Sequence, residues 1–504
     1  MKKLLFSLLL GAVSGTAADS AFLPVADPMP VYDGRMPQPP VPPPAGTRAV
    51  TYDVYGNFWA LAPEGHRLRV LVLPAQQPDR WVPDTVGGIV DDNWKFLAAD
   101  ENGLLWLASA RQVFCLDPLR RGRAWHNLSA DTAFPRGAIV AMSVAPSGAM
   151  LVALESGQLV EMDCVEKSQG RGAWLENSFK FENAPAAIRE LKTDADGRIW
   201  VVAGGRVYRK AAAADAWQRH WELIARMPGS NHDLSGDVLD GRFYVAGGVT
   251  AGWGYPPQHT LFEDLLEFDP ARAQWRRAAK LGMPRGFNGT SVLGGKVWVI
   301  GGDVELTGGR RLAVRTVQIC DPRTGEVTMG PDLPMALPMP LAIHIHGRIY
   351  VAGSPKDHYD EPGKLFSIGE GESAWKTEPD GPVGMSALAG AAQDGKFYVV
   401  APSRSLAIFD TANQSWTEVA EPHPPRSCEV AAYKDEIWLM GGAGVRDNRA
   451  TMIFNPRTGK WRDGPDLPRP LNWGAATVVN GRLMVTGGAG GRCYNHRSFL
   501  LREE

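Results

Sequence analysis

Long apolar runs are nearly absent from this chain of 504 residues. The run from Leu4 to Val13 is too short to cross a bilayer, and no other stretch approaches the ~18 unbroken apolar residues of a membrane helix, which argues against membrane insertion. Charge of one sign is also missing. Lys and Arg number 53 against 55 Asp and Glu, a formal net charge of -2, so nothing pulls the chain toward nucleic acid or anionic lipid. Cysteine is scarce, with five residues, an odd number without C-x-x-C spacing, and a disulfide framework is not indicated. Cys115 in VFCLDP and Cys320 in VQICDP read as small buried hydrophobes, and pairing stays open. No G-x-S-x-G, H-E-x-x-H or phosphate-cradling glycine loop occurs in a strand-to-helix setting, so no cofactor is implied. A metal site is not implied either: His344 and His346 alternate in AIHIHG, but His346 holds a turn position, and Asp194 and Asp196 in TDADG lack the remaining ligands of a calcium loop.

Glycine and tryptophan are plentiful, at 56 and 17 residues. Glycine supplies positive φ in tight turns and flat rings fill flat gaps between sheets, which suits an all-β protein. The phrase DGRFYVAGG, with Gly241 at its turn and Gly247-Gly248 at its end, returns as GGKVWVIGG, HGRIYVAGS, DGKFYVVAP, KDEIWLMGG and NGRLMVTGG. Around Gly241 the chain predicts a four-stranded meander: SGDVL, a two-residue turn at Asp240-Gly241, RFYVAGG with Phe243 and Val245 on one face and Tyr244 on the other, LLEFDP, and a fourth strand near Trp275. One such sheet cannot hide both apolar faces, whereas copies arranged radially bury them against neighbours.

Upstream, DVYGNFWALA, DENGLLWLAS, APSGAMLVAL and DADGRIWVVAGG set Gly56, Gly103, Gly148 and Gly197 at steps of 47, 45 and 49, followed by Trp81, Trp125, Trp174 and Trp217. At the N-terminus, Lys2 and Lys3, the apolar run and the small residues Thr16-Ala17-Ala18 predict a secretory signal over residues 1–18 and an exported, periplasmic or extracellular protein. Residues 19–47 are rich in proline, which favours an extended spacer.

Four apolar residues leading into Gly-Gly, an Asp/Asn-Pro-like corner and a downstream Trp resemble the kelch family over residues 229 to 504, in six units. The resemblance implies a kelch-type β-propeller. Three departures stand out: DGKFYVVAP loses both glycines, the second unit has Val327 where Trp is expected, and SFLLREE stops after a third strand. The four upstream repeats look like those of sensor-type propellers. The expected fold is therefore about ten four-stranded antiparallel blades, divided as residues 48–215 with four repeats and residues 216–504 with six kelch blades; a single ten-bladed ring is the rival. AWQRHWELIARMP (216–228) has the form of a fourth strand and is placed to cover the edge of the final blade.

In such a meander the second-to-third loops share one face with the links between blades. Counting four onward from the proline of each link marks His232, Asn288, Glu429 and Asn472, with Ser386 in PVGMS and with Arg285, Arg426 and Arg469 recurring beside them. The functional reading is a mouth for an anionic or polyhydroxylated ligand; the structural reading gives Pro-Arg to packing between blades. Long neighbouring loops add the rim candidates Trp253, Tyr255, His259, Arg310, Arg311, His358 and Tyr359. The leading expectation is a noncatalytic module that binds a protein or glycan. The alternative is a carbohydrate-active enzyme on the same scaffold, since exported kelch propellers include sialic-acid mutarotases and galactose oxidase-type enzymes. Glu429, His232 and Arg285 or Arg426 would supply acid and base groups to the first. The second is disfavoured because no matched set of two Tyr, two His and a Cys is found by motif.

Overall fold

Short strands punctuated by glycine leave the backbone little alternative to tight antiparallel sheets. A computed structural model of the protein describes residues 22–25 and 38–503 except 76, 85–92, 119–123, 146, 170–171, 195–197, 211–218, 230, 252–258, 307–308, 356–360, 384–388, 401–404, 420–421, 423, 443–447 and 491–492. It is a multi-blade β-propeller, with ten antiparallel sheets built on four strands and no α-helix among the described residues. Blades are numbered 1 to 10 by the chain position of their first strand. The segment read as a signal lies outside the described residues.

Blade 5 shows how the repeat works. Ser235–Leu239 pairs with Arg242–Ala246 through Asp240 and Gly241, whose φ values of 51° and 72° make the two-residue turn that matches strand twist. His346-Gly347, Asp394-Gly395, Lys434-Asp435 and Asn480-Gly481 repeat that pair of positive angles. Phe243 and Val245 then pack toward blade 10, among Val479 and Met484, while Tyr244 and Ala246 pack toward blade 6, among Val297 and Val299. The paired glycines answer a close approach. A Cβ on Gly247 would lie 1.9 Å from Asn288 Oδ1, and one on Gly248 would lie 2.3 Å from Asn231 Oδ1.

In blades 5, 7 and 8 the downstream tryptophan ties the blade to the one before it. Trp375 Nε1 of blade 7 donates to Pro331 O at 2.8 Å, Trp416 Nε1 of blade 8 to Pro379 O at 3.1 Å, and Trp275 Nε1 of blade 5 to Ser498 Oγ of blade 10 at 2.8 Å. In blade 6, Val327 instead packs, partly buried, against the apolar cluster that blades 5 and 6 share. The first strands of blades 5 to 10 adjoin in cyclic order, blade 10 returning to blade 5. The outer strand of blade 10 comes from Trp221–Arg226, which pairs antiparallel with Arg497–Leu501. Its Trp221 Nε1 reaches Asp466 O at the end of blade 9, 3.0 Å away.

Blades 1 to 4 use a different lock. In blade 1 the Asp53 carboxylate accepts from the Tyr55 and Asn57 backbone N–H groups and from Trp59 Nε1 at 2.7 Å. Asp100 with Trp106 in blade 2, and Asp194 with Trp200 in blade 4, repeat the arrangement at 2.8 Å. Each acid ties its own turn to a buried ring six residues later. Blade 3 has Ala145 and Leu151 at these two positions and so replaces both partners by apolar groups. The outer strand of blade 4 is Leu23–Val25, paired with Arg206–Lys210.

Blade 2 meets the closing strand pair of blade 10. Arg226 and Arg497 are opposed across that pair, an arrangement that is destabilising for like charges. Glu101, from the first turn of blade 2, receives both. Arg226 donates through Nε at 3.2 Å, Arg497 Nε lies 2.8 Å from the carboxylate, and His496 Nε2 lies 3.5 Å away. Burial alone would raise the Glu101 carboxyl, yet Arg226, Arg497 and His496 hold it well below the ordinary range. His496 moves down to about 3, first by burial, so it is neutral near pH 7.

Candidate functional site

The first strands of blades 5 to 10 line the channel, and the links entering them form its mouth. Four blades place a non-glycine residue in the left-handed region where the link meets the first strand: Asp233 (φ 52°), Phe287 (57°) and Ser427 (55°) two residues ahead of it, and Trp473 (57°) as its second residue. Their backbones are joined from blade to blade. Trp473 N donates to Ser427 O at 3.1 Å, Asp233 N to Trp473 O at 2.8 Å, and Phe287 N to Asp233 O at 3.0 Å. This belt binds blades 9, 10, 5 and 6 across the mouth. Such strained angles cost of order 1 kcal/mol or more each and persist where surrounding contacts over-determine them.

The side chains carried by the belt are chemically varied. Trp473 is an exposed large aromatic, with 42% of its surface open, and its ring lies 6.2 Å from that of His232. His232 in turn pairs with the Asp233 carboxylate, which burial raises above the usual range despite that partner. Phe287 lies under the Arg311 guanidinium, 5.5 Å from ring centroid to cation. Arg311 belongs to a hairpin of Asp303–Glu305 with Arg311–Ala313 that is anchored to the link by Gly286 and Asp303, and the hairpin also presents Leu312, 49% exposed.

Below the belt lies a cavity of about 150 Å³. Gly236, Gly390 and Gly474 line it, and Asp233 and Glu429 are the acids on its wall. Among the described lining residues there is no Lys, Arg or His. Glu429 opens the first strand of blade 9 and is 2% exposed. Its Oε1 accepts from Gly474 N at 2.7 Å, whereas Oε2 has no hydrogen-bond partner among the described residues. Burial, opposed by the Gly474 N–H, pushes its carboxyl up to about 8.

Of the residues marked from sequence, Glu429 and Asn288 reach the cavity wall, and His232 joins the mouth through Asp233 and Trp473. Asn288 is committed to structure, its Nδ2 donating to Ala246 O at 3.3 Å and Thr290 Oγ1 at 3.0 Å. Arg285 does not enter the mouth. It is fully buried between blades, donating to Gly301 O and Thr316 O at 3.1 Å each, and burial lowers it to about 10. Arg426 is exposed and Arg469 donates to Gly490 O at 3.3 Å; neither they nor Asn472 are on the cavity wall. The cavity wall thus carries acids where sequence reading expected arginines. At the rim, Arg311 and the exposed Arg310 are described, and His259 opens the third strand of blade 5. Ser386, Trp253, Tyr255, His358 and Tyr359 lie outside the described residues. His344 and His346 are exposed, and no metal-holding group of His, Cys, Asp and Glu occurs among the described residues.

Asp233, Phe287, Ser427 and Trp473 were missed because the count from proline ignores link length. Their left-handed backbone at the entry to each first strand is the common feature, and no composition signal announces it.

No protein-family profile matches the chain. It is similar to kelch-like protein 35 of Mus musculus, 24% identical over 293 residues, which cover 56% of this chain and 48% of that protein. It is similar to kelch-like protein 25 of Xenopus tropicalis, 19% identical over 288 residues (55% of this chain and 48% of that protein), and to alpha-scruin of Limulus polyphemus, 26% identical over 142 residues (27% and 15%). The chain spans about half the length of the kelch-like relatives it matches. Among solved structures it is similar to one titled "Structure of YjhT", with a TM-score of 0.46 and 16% identity, covering 55% of this chain and 96% of that one.

Proposed function

We propose, from the premise that this chain is a kelch-repeat β-propeller and a kelch-type binding module, that it is exported and recognises a protein partner across the mouth of residues 216–504. Residues 48–215 form a second body in this reading. The observation that carries it is Trp473: a large aromatic left 42% exposed on a backbone held by hydrogen bonds from both neighbouring blades. Rigid aromatic anchors of this kind dominate interface energetics, and Phe287, Leu312 and Arg311 extend the surface beside it. Export is supported by the N-terminal lysines, apolar run and small residues. A glycan is the second reading, because the same ring face suits stacking on a sugar.

The test is capture from a secreted or periplasmic extract with the full chain, in parallel with Trp473→Ala and with Met329→Ser, an exposed residue of the blade 6 outer strand. A specific partner lost with Trp473→Ala and retained with Met329→Ser supports the reading. Partners unaffected by Trp473→Ala overturn it. Thermal shifts with a sugar panel, abolished by Trp473→Ala, would move the assignment to a glycan, and catalysed anomer exchange abolished by Glu429→Gln would move it to an enzyme.

A further inference from the structure

We propose that the cavity beneath the mouth receives a cationic head group, the guanidinium of an Arg side chain presented by the partner. This deepens the protein-binding reading and rests on it.

Three observations converge on a cation. Glu429 is almost fully buried on the cavity wall, with one oxygen bonded to Gly474 N and the other lacking a donor among the described residues. A buried polar oxygen without a partner is a standing cost of ~1–3 kcal/mol, which a ligand N–H would remove once the carboxyl is ionised. The described wall also carries two acids and no base. The three arginines expected from sequence to attract an anion are placed elsewhere: Arg285 between blades, Arg426 in solvent, Arg469 on Gly490 O. Finally, size matters. Clefts for whole small-molecule ligands run to ~300–1,000 Å³. About 150 Å³ suits one side-chain head and not an enclosed sugar.

The charged and titratable neighbours are few. Cys428 adjoins Glu429 and is pushed up by burial, so it stays a neutral thiol. Blade 5 supplies the His232–Asp233 pair, and the blade 6 hairpin supplies Arg311, which stands over Phe287 at the rim and lowers Asp233. The described cavity residues of blades 7, 8 and 10 carry no charge. Glu429 in the empty cavity is therefore protonated at neutral pH, since burial holds its carboxyl near 8. A bound guanidinium favours the carboxylate, so binding releases the proton. Affinity then rises as pH rises toward 8, by up to about tenfold per pH unit below that value, and levels off above it.

The experiment uses the full chain and three small probes: N-acetyl-arginine amide, its neutral analogue N-acetyl-citrulline amide, and N-acetyl-glutamate amide. Binding is followed by ligand-observed NMR between pH 6 and 8.5. The arginine probe is expected to bind at least ~10-fold tighter than citrulline, to strengthen with pH, and to lose at least ~10-fold in Glu429→Gln. His232→Gln separates the imidazole: the pH dependence should survive it. Equal binding of citrulline, preference for the glutamate probe, or an arginine affinity unchanged by Glu429→Gln each overturns the inference. Should the arginine probe fail while Trp473-dependent capture persists, the cation falls and the protein-binding reading stands. Should capture ignore Trp473 while the arginine probe binds through Glu429, the reverse holds.

Discussion

Replacing Glu101 by alanine should loosen the closure of blades 5 to 10 from outside them. Glu101 stands in blade 2, yet it neutralises Arg226 and Arg497, which face each other across the strands that close blade 10. Both guanidiniums are largely buried, with 15% and 9% of their side chains exposed, so the variant leaves two opposed cations without their acid. Breaking a buried ion pair from one side costs about 3–5 kcal/mol. Taking blades 5 to 10, roughly 280 residues, as the unit that unfolds, its entropy is near ~0.6 kcal/mol/K, at about 2.1 cal/mol/K per residue, so a loss of about 4 kcal/mol lowers its midpoint by roughly 7 °C. Scanning calorimetry reads this directly. The pH dependence carries the sign: a carboxyl held below its usual range stabilises the fold above the unfolded pKa of about 4.3, and that contribution disappears as acid takes the pH down through the folded value. Wild type and variant should therefore converge on acidification. The double variant Glu101→Met with Arg226→Met should be less damaging than Glu101→Ala, because one buried cation, Arg497, is then left without its acid instead of two opposed ones. A midpoint moved by less than about 1 °C, or a gap that persists at low pH, would refute the reasoning.

Trp375→Phe keeps the ring but deletes the hydrogen bond to Pro331 O, and should cost about 1 kcal/mol in denaturant titrations, with Trp375→Ala costing distinctly more. In blade 2, Asp100→Ala and Trp106→Phe should be strongly non-additive, with a coupling of about 0.5–3 kcal/mol in a double-mutant cycle followed by chemical denaturation. Gly474→Ala should destabilise by about 1–3 kcal/mol, since its Cβ would lie 2.8 Å from Thr486 O and 2.9 Å from Glu429 Oε1. A neutral effect on thermal midpoint would show that Glu429 can retreat.

Strand order and the faces of each blade were open to reading because they depend on local chemistry. Asp240-Gly241 admits few turns, and the alternation of Phe243, Tyr244 and Val245 assigns each side chain to one of two neighbouring blades. The mouth was harder. Its geometry follows from where each link enters the left-handed region, and the links leading to Asp233, Phe287, Ser427 and Trp473 differ in length, so a fixed count from proline reaches the residue before the belt in two blades and after it in the others. Arg285 shows a second obstacle. Its side chain is long enough to turn away from the channel, and only the carbonyls of Gly301 and Thr316 decide that it does. The Asp-to-Trp spacing of blades 1, 2 and 4 was visible as a repeated pattern, but that the acid binds the indole six residues on depends on the turn between them. The ion cluster at Glu101 joins residues nearly four hundred positions apart in the chain, and no local pattern encodes it.

Trp221–Arg226 is made by the ribosome ahead of every other strand of blades 5 to 10, and its pairing partner Arg497–Leu501 is made last. A nascent chain must therefore carry one bare strand edge through the synthesis of five blades, during which it is a template for unwanted pairing. Translation that halts before Arg497 would release a product unable to latch, and such truncated chains should be the ones that chaperones and proteases collect.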